Sequence, residues 1–394
     1  MRIADLSVYG VHPARSAGHL AILEPLRHMV ERGHEIDILS LGLRSFERRW
    51  PRRFQQEICK GLRETRLVSA LALLRAKIQG KTRFPPIEAS RSFADLARPE
   101  DLDLLSGAEI VILESPWAYG FARRATTAPV LWIAHNQEAR LHEKALKQAG
   151  LLDRARQLEG LCFREADLVL TLHDEDAQGL RDEHGPRVGP LESLPLGCEI
   201  HDRAEKDRRL AAKQALGIDP EARVALFAGS AHGPNVQAAD KLQALGPEIA
   251  KAGWVLLIAG SVRSSAAEFV GGRATGPRKD LDPCYDAADL ALNPVEQGSG
   301  MNLKNLHAMS RGLPVAASHI GARGFDTGEE TGLLEVEIGD LTVFLEAIAD
   351  DEDRLRMLSL AAHETARSKY SWSAIVDERL GFLARHLPRE AGSR

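Results

Sequence analysis

Ala291-Leu-Asn-Pro-Val-Glu-Gln-Gly-Ser-Gly-Met-Asn-Leu-Lys-Asn-Leu-His-Ala-Met-Ser-Arg-Gly-Leu-Pro-Val-Ala-Ala-Ser-His-Ile-Gly-Ala-Arg-Gly324 is the stretch on which the fold turns. It reads as a buried strand ending at Pro294, a Gly-Ser-Gly turn, a helix from about Met301 to Arg311, a break at Gly312-Leu-Pro314 and a second strand from Val315 to Ser318. The turn leaves the N–H groups of Gly300, Met301 and Asn302 free at the helix start, where the positive end of the dipole suits an anion such as a diphosphate. Lys304, one turn in, adds a mobile charge. Gly298, Gly300 and Gly312 also have a plainer reading as residues that tight backbone turns require. Three of them in one strand-turn-helix unit beside Lys304 weigh toward an anion site.

Working outward, 394 residues with 44% apolar content are too many for one ordinary core and imply two domains with a cleft. A formal net charge of -5 gives no overall drive toward nucleic acid, so any basic surface is local. Cys59, Cys162, Cys198 and Cys284 lack Cys-x-x-Cys spacing, which argues against a disulfide framework and a zinc site. No apolar run approaches the roughly 20 residues of a membrane span, and Met1-Arg-Ile-Ala-Asp already reads as a strand. The expected location is the cytoplasm.

The chain alternates strand and helix signals, as parallel sheets covered on both faces require. Arg2 to Val8 reads as a strand, Tyr9 to Gly18 as a loop, His19 to Gly33 as a helix closed by glycine, and Glu35 to Ser40 as the next strand. Further strands are expected at 108–113, 130–134, 166–171 and 254–259, and 223–230 reads as a buried strand running into a small-residue loop. His135-Asn-Gln-Glu138 follows one of these, at the edge where open α/β sheets take ligands; His135 alone also reads as a structural histidine and Glu138 as a first-turn helix carboxylate. Asn235 is expected to cap a helix starting at Gly233.

The composition changes over 44–86. Arg44, Arg48, Arg49, Arg52, Arg53, Lys60, Arg63, Arg66, Arg75, Lys77, Lys81 and Arg83 face only Glu47, Glu57 and Glu64. With Phe46, Trp50, Phe54 and Ile58 at helical spacing, this reads as one or two basic amphipathic helices. They form either a solvated insertion or a surface for lipid or an anionic acceptor.

Several of these segments carry a resemblance. Gly298-Ser-Gly-x-x-x-Lys304 before a helix is similar to the donor-binding segment of GT-B glycosyltransferases of the family 4 type, and the opening unit, with Ser16-Ala-Gly18 after the first strand and Arg32-Gly-His34 after the helix, resembles theirs. Leu194-Pro-Leu-Gly197 is similar to the segment that closes their first domain, and Tyr370-Ser-Trp372 with the helix after it to the one that crosses back. The resemblance implies an α/β fold of two facing Rossmann-like doubly wound domains. The first is an acceptor-side domain over 1–197 with the insertion 44–86, and the second a nucleotide-sugar domain over 198–369, followed by a crossing helix over 370–394. It implies donor binding by Gly229, Ser230, Ser299, Gly300, Met301, Asn302, Lys304 and His307, catalytic parts for His135 and Glu296, and an acceptor-side loop with Gly18, Asn136 and Glu138. One departure stands out: of two glutamates eight positions apart common in that family, the second position is His307 and the first Ser299.

The implied activity is transfer of a sugar from a nucleoside-diphosphate donor to a glycan, lipid-linked or small-molecule hydroxyl, retaining and metal-independent, with no cofactor beyond the donor. Peripheral contact with the inner membrane face would run through 44–83. A nucleotide-sugar epimerase, which needs no acceptor, and a sugar-nucleotide-binding scaffold without turnover are the alternatives. A dinucleotide dehydrogenase and a P-loop NTPase are disfavoured, because neither glycine motif occurs in its place.

Overall fold

Ile110–Leu113 and Val130–Ala134 are buried at every position, as strands covered on both faces must be. In the computed structural model, which describes residues 1–14, 17–42, 53–68, 85–298 and 301–387, they are the fifth and sixth strands of an eight-stranded sheet. Its strands are β1 (Arg2–Ser7), β2 (Glu35–Gly42), β3 (Arg53–Cys59), β4 (Leu62–Val68), β5 (Ile110–Leu113), β6 (Val130–Ala134), β7 (Leu168–Thr171) and β8 (Leu191–Ser193). Their order is β3-β4-β2-β1-β5-β6-β7-β8. All neighbours are parallel except β3 and β4.

A second sheet has seven strands: β9 (Arg223–Ala228), β10 (Trp254–Ala259), β11 (Ala266–Phe269), β12 (Gly272–Thr275), β13 (Leu290–Asn293), β14 (Val315–Ala317) and β15 (Leu333–Glu335). The order is β11-β12-β10-β9-β13-β14-β15, antiparallel only between β11 and β12. The chain divides into two units, Met1–Pro195 joined by the segment from Ile375 onward, and Leu196–Ala374.

Alternation along the strands fills two cores in the first unit. Ala4, Leu6, Val111, Leu113, Val130 and Trp132 face one side. Ile3, Ile110, Ile112, Leu131 and Ile133 face the other, against Leu23 and Leu26 of helix Ala17–Glu31 and Val376 and Phe382 of helix Trp372–His386. By the same period of two, Asp5, Glu114 and His135 fall on that second side.

Two expectations are corrected. The described part of the basic segment, 53–68, is a β-hairpin at the sheet edge, not a helix. Cys59 pairs with Leu62 around Lys60-Gly61, and Gly61 takes a positive φ of 90° that suits glycine. The positions read at helical spacing also alternate through this strand, whose residues are exposed in turn. Its arginines are engaged nearby: Arg53 with buried Asp101, Arg63 with Asp37, Arg66 with Glu64. The remainder, 43–52 and 69–84, lies outside the described residues. Gly18 belongs to the first turn of helix Ala17–Glu31, not to the preceding loop. Among the described residues no helix is long and apolar enough to cross a membrane.

Candidate functional site

In the second unit β9 leads to β10 and β12 on one side, while β13 leads to β14 and β15 on the other. Strand order reverses between β9 and β13, and chains leaving their carboxyl ends part there and open a crevice. Gly229 and Ser230 leave β9 at this point. Gly229 donates its N–H to Ala259 O at 2.9 Å, and its carbonyl accepts from Val262, so the loops after β9 and β10 are stitched together.

Helix Leu303–Met309 brings Lys304 to the same place. Its Nζ donates to Asn235 Oδ1 at 2.6 Å and sits 5.0 Å from the centre of the Phe227 ring. Asn235 in turn donates to the carbonyl and hydroxyl of Ser230, each at 3.3 Å. It is therefore no N-cap, a place that His232 takes. Lys304 has no carboxylate partner among the described residues, and burial alone lowers its pKa to about 8. A half-buried cation without an anion is an anion site in waiting.

Beneath it lies a polar network that sequence reasoning missed. Asn293, at the end of β13, donates to Asn305 Oδ1 at 2.9 Å and to Gly321 O at 3.0 Å, and Asn305 donates to the same carbonyl at 2.8 Å. These bonds fix the strand and the helix to the loop after β14. Asn302 belongs to this scaffold, donating to Ile320 O at 3.2 Å, and Met301 is buried. Ser299 and Gly300 lie outside the described residues. Glu296 is exposed, with both oxygens 2.6 Å from Lys241 Nζ. His307 meets solvent at one edge and the Tyr285 ring on another side; surrounding protein, then Arg311 and His201, push its pKa down.

In the first unit the order reverses between β1 and β5. Past the ends of β5 and β6, His135 Nε2 is hydrogen-bonded to buried Glu114. Burial pushes the Glu114 carboxyl up, but His135 and Arg379 outweigh it and hold the group below the usual carboxylate range. Asp5 is fully buried and no N–H or O–H among the described residues donates to its oxygens. Burial first, then the charge of Glu114, raises its pKa well above the usual carboxylate range. Arg379, buried on helix Trp372–His386, supplies the positive field. With Nε2 of His135 tied to Glu114, Nδ1 is the ring nitrogen left for another partner. Asn136 is half-buried, and Glu138 sits in the first turn of helix Glu138–Leu141, 3.5 Å from His142.

The loop after β1 is held from below. Glu64 accepts from the N–H groups of Val11 and His12, the Ser40 hydroxyl, Gln56 and Arg66, while Arg66 also donates to His12 O. A side chain at Gly10 would run into the Arg66 guanidinium. Apart from Arg66, two positions on in the same strand, its partners come from β1's loop, β2 and β3, so the sequence around Glu64 does not advertise the cluster.

Among the described residues, Glu159, Glu183 and His184 have ligand atoms within 4.8 Å of one another. They already have partners, His184 pairing with Glu159 at 3.0 Å and Glu183 with Arg156 at 2.7 Å. His184 also ends the helix that starts after β7, which carries it away from the carboxyl edge.

Residues 222–350 match the family model described as glycosyl transferases group 1, and 19–197 match the glycosyl transferase 4-like domain. Curated relatives include D-inositol 3-phosphate glycosyltransferase 2 of Catenulispora acidiphila, 27% identical over 53% of this chain and 54% of that protein. Another is the lipopolysaccharide core biosynthesis mannosyltransferase LpsB of Rhizobium meliloti, 31% identical over 41% and 51%. The chain spans about half the length of the curated relatives it matches. Among solved structures, sucrose-phosphate synthase from Thermosynechococcus elongatus is similar with a TM-score of 0.70 at 17% identity, covering 98% of each chain. HepE from Anabaena, in complex with UDP and glucose, is similar with a TM-score of 0.66 at 13% identity, covering 98% of this chain and 100% of that one. At these identities the likeness is one of fold, two Rossmann-like units of the GT-B class.

Proposed function

The chain belongs to the group 1 glycosyltransferases of GT-B fold, and from that premise we propose that it moves a sugar from a nucleoside-diphosphate donor to an acceptor hydroxyl in glycan or glycolipid synthesis. The observation that carries the donor half is Lys304, a half-buried ammonium with no carboxylate partner among the described residues, set where strand order reverses. A structural neighbour bound to UDP makes a uridine diphosphate sugar the donor to try first. Gly229, Ser230 and the turn 299–302 would take the diphosphate. His307 would meet the ribose, and Glu296 would exchange its pair with Lys241 for sugar hydroxyls.

Chemistry in this reading is mainly electrostatic. As the bond to the diphosphate breaks, negative charge grows on the leaving oxygens, and Lys304 stabilises it without having to reorganise. That charge does the work a divalent cation would otherwise do, so turnover is metal-independent. In a retaining course a leaving-phosphate oxygen accepts the proton of the incoming hydroxyl. His135, with Nε2 tied to Glu114, presents its other ring nitrogen, Nδ1, to orient a hydroxyl. The names of the relatives favour a polyol or glycan hydroxyl as acceptor. Contact with an anionic membrane through 44–83 would bring a lipid-linked acceptor close; the motive is Arg48, Arg49 and Arg52 around Trp50.

The test is a melting-temperature screen with UDP, GDP, ADP and dTDP, followed by donor turnover in excess chelator. One nucleotide should stabilise strongly, since the shift grows with ligand concentration over dissociation constant, and turnover should survive chelation. No shift with any nucleotide would overturn the donor reading. Activity that appears only with added magnesium or manganese would overturn metal independence alone.

A further inference from the structure

The amino-terminal edge of the second sheet, opposite the Lys304 crevice, holds a cavity of about 710 Å³ that no part of the proposed transfer uses. Its floor is the start of β9 at Arg223, Asp289 just before β13, and Gly312 and Leu313 before β14. Its walls are helix Lys206–Ala215 and the first turns of helix Glu352–Lys369. All of these belong to the unit Leu196–Ala374.

Charge distinguishes this cavity from an ordinary surface recess. The cations are Arg203, Lys206, Arg209, Lys213, Arg223 and Arg356, and they outnumber the acids Glu221, Asp289 and Glu352. Asp289 is taken by both Arg209 and Lys213, and Glu352 lies 3.7 Å from Arg223. That leaves Arg203, Lys206 and Arg356 with no carboxylate partner among the described residues. Arg203 is held in place: its Nη2 donates to Ser359 Oγ at 2.9 Å, and its stem lies across Gly312, where any side chain would meet it. A fixed guanidinium beside two free cations presents forked donors to a phosphate and repels cationic ligands. The remaining wall is aliphatic, from Leu210, Pro220, Leu313 and Leu355, with no aromatic ring on which a nucleobase would stack.

We infer that this cavity is a second anion site, for a small soluble phosphorylated compound without a nucleobase, distinct from the site at Lys304. Its size lies within the range of small-ligand pockets, about 300–1,000 Å³. Strands of about 20 Å separate it from the carboxyl edge, so one ligand does not reach both sites. Salt weakens the interaction, because Lys206 and Arg356 are exposed to solvent.

Inorganic pyrophosphate is the probe, titrated calorimetrically into the full chain, into the double variant Lys206→Gln, Arg356→Gln and into Lys304→Met. The native chain should take up two pyrophosphates. The double variant should lose one of them, weakened roughly tenfold or more as charge-assisted contacts disappear, and should bind UDP as the native chain does. Lys304→Met should keep that one and lose the other. Both substitutions in the double variant are on the surface, and Arg203→Gln gives an independent check from inside the cavity. The inference is overturned if Lys304→Met binds no pyrophosphate, or if the double variant and Arg203→Gln bind as the native chain does. Failure of the donor reading is separate: it appears as an unchanged first site in Lys304→Met.

Discussion

Glu64 in the first unit and Lys304 in the second are both charges drawn out of water behind a loop that leaves a strand, and they are treated in opposite ways. Glu64 is wholly buried, and every lone-pair direction is used: two backbone N–H groups, a hydroxyl, an amide and the Arg66 guanidinium. Lys304 has one hydrogen bond to Asn235 and one ring face. A buried charge that is fully paired holds a loop in shape. One that is dehydrated and unpaired keeps an unmet demand, and a ligand can meet it.

The contrast is sharpest under mutation. Glu64→Gln removes the carboxylate that faces the buried Arg66 guanidinium, and breaking one partner of such a pair costs about 3–5 kcal/mol. Urea unfolding should read that loss directly. A change under about 1 kcal/mol would mean the pair is not what shapes the loop. Lys304→Met should do the reverse, leaving stability equal or higher because an unpaired charge is replaced by an apolar side chain. The same substitution should weaken UDP binding by roughly tenfold to a hundredfold, the worth of a charge-assisted contact. If it destabilises the fold and spares UDP affinity, Lys304 is structural and the contrast is gone.

Acid–base behaviour gives a smaller effect. With its pKa lowered to about 8 by burial, Lys304 loses its proton as pH rises through that value in the free protein. UDP affinity should therefore be flat below pH 8 and fall above it, by up to about tenfold per pH unit. Binding draws the proton back, so calorimetry in two buffers of different ionisation enthalpy should register proton uptake near pH 8–9. For folding the sign is opposite. Between about 8 and the ordinary lysine value near 10.5 the unfolded chain holds more protons, so this group's contribution to stability rises with pH. A UDP affinity independent of pH from 7 to 10 would take Lys304 out of the site.

What could be read from sequence follows the range over which each signal acts. Strands such as Val130–Ala134 and Trp254–Ala259 were legible because burial on both faces leaves an unbroken apolar run. Lys304 was legible from the glycine turn before it. Its partner Asn235 lies 69 positions away and looked like a cap. Asp5, Glu114, His135 and Arg379 come together only because three strands share one side of a sheet and the C-terminal helix packs there. The hairpin at 53–68 reads as a helix because aromatic and aliphatic residues at a spacing of four fit both patterns, and Lys60-Gly61 is the one local sign of its turn.

That correction bears on the smallest expected effect, contact with a membrane. Arg53, Arg63 and Arg66 each have a carboxylate partner, so they add little to an outward field. The Arg63 pair with Asp37 is itself half-exposed, and such pairs contribute about 0–1 kcal/mol. Any attraction to anionic lipid must then come from other cations of the segment, with Arg48, Arg49 and Arg52 the densest group. A cation near such a surface contributes on the order of 1 kcal/mol. Three of them suffice for weak, salt-sensitive binding. Co-sedimentation with phosphatidylserine vesicles should fall when Arg48, Arg49 and Arg52 are changed to Gln, and should be unchanged by Arg63→Gln. Equal and negligible sedimentation of the native chain with anionic and neutral vesicles would remove the membrane from the proposal. The donor site, which rests on Lys304, would be untouched by that result.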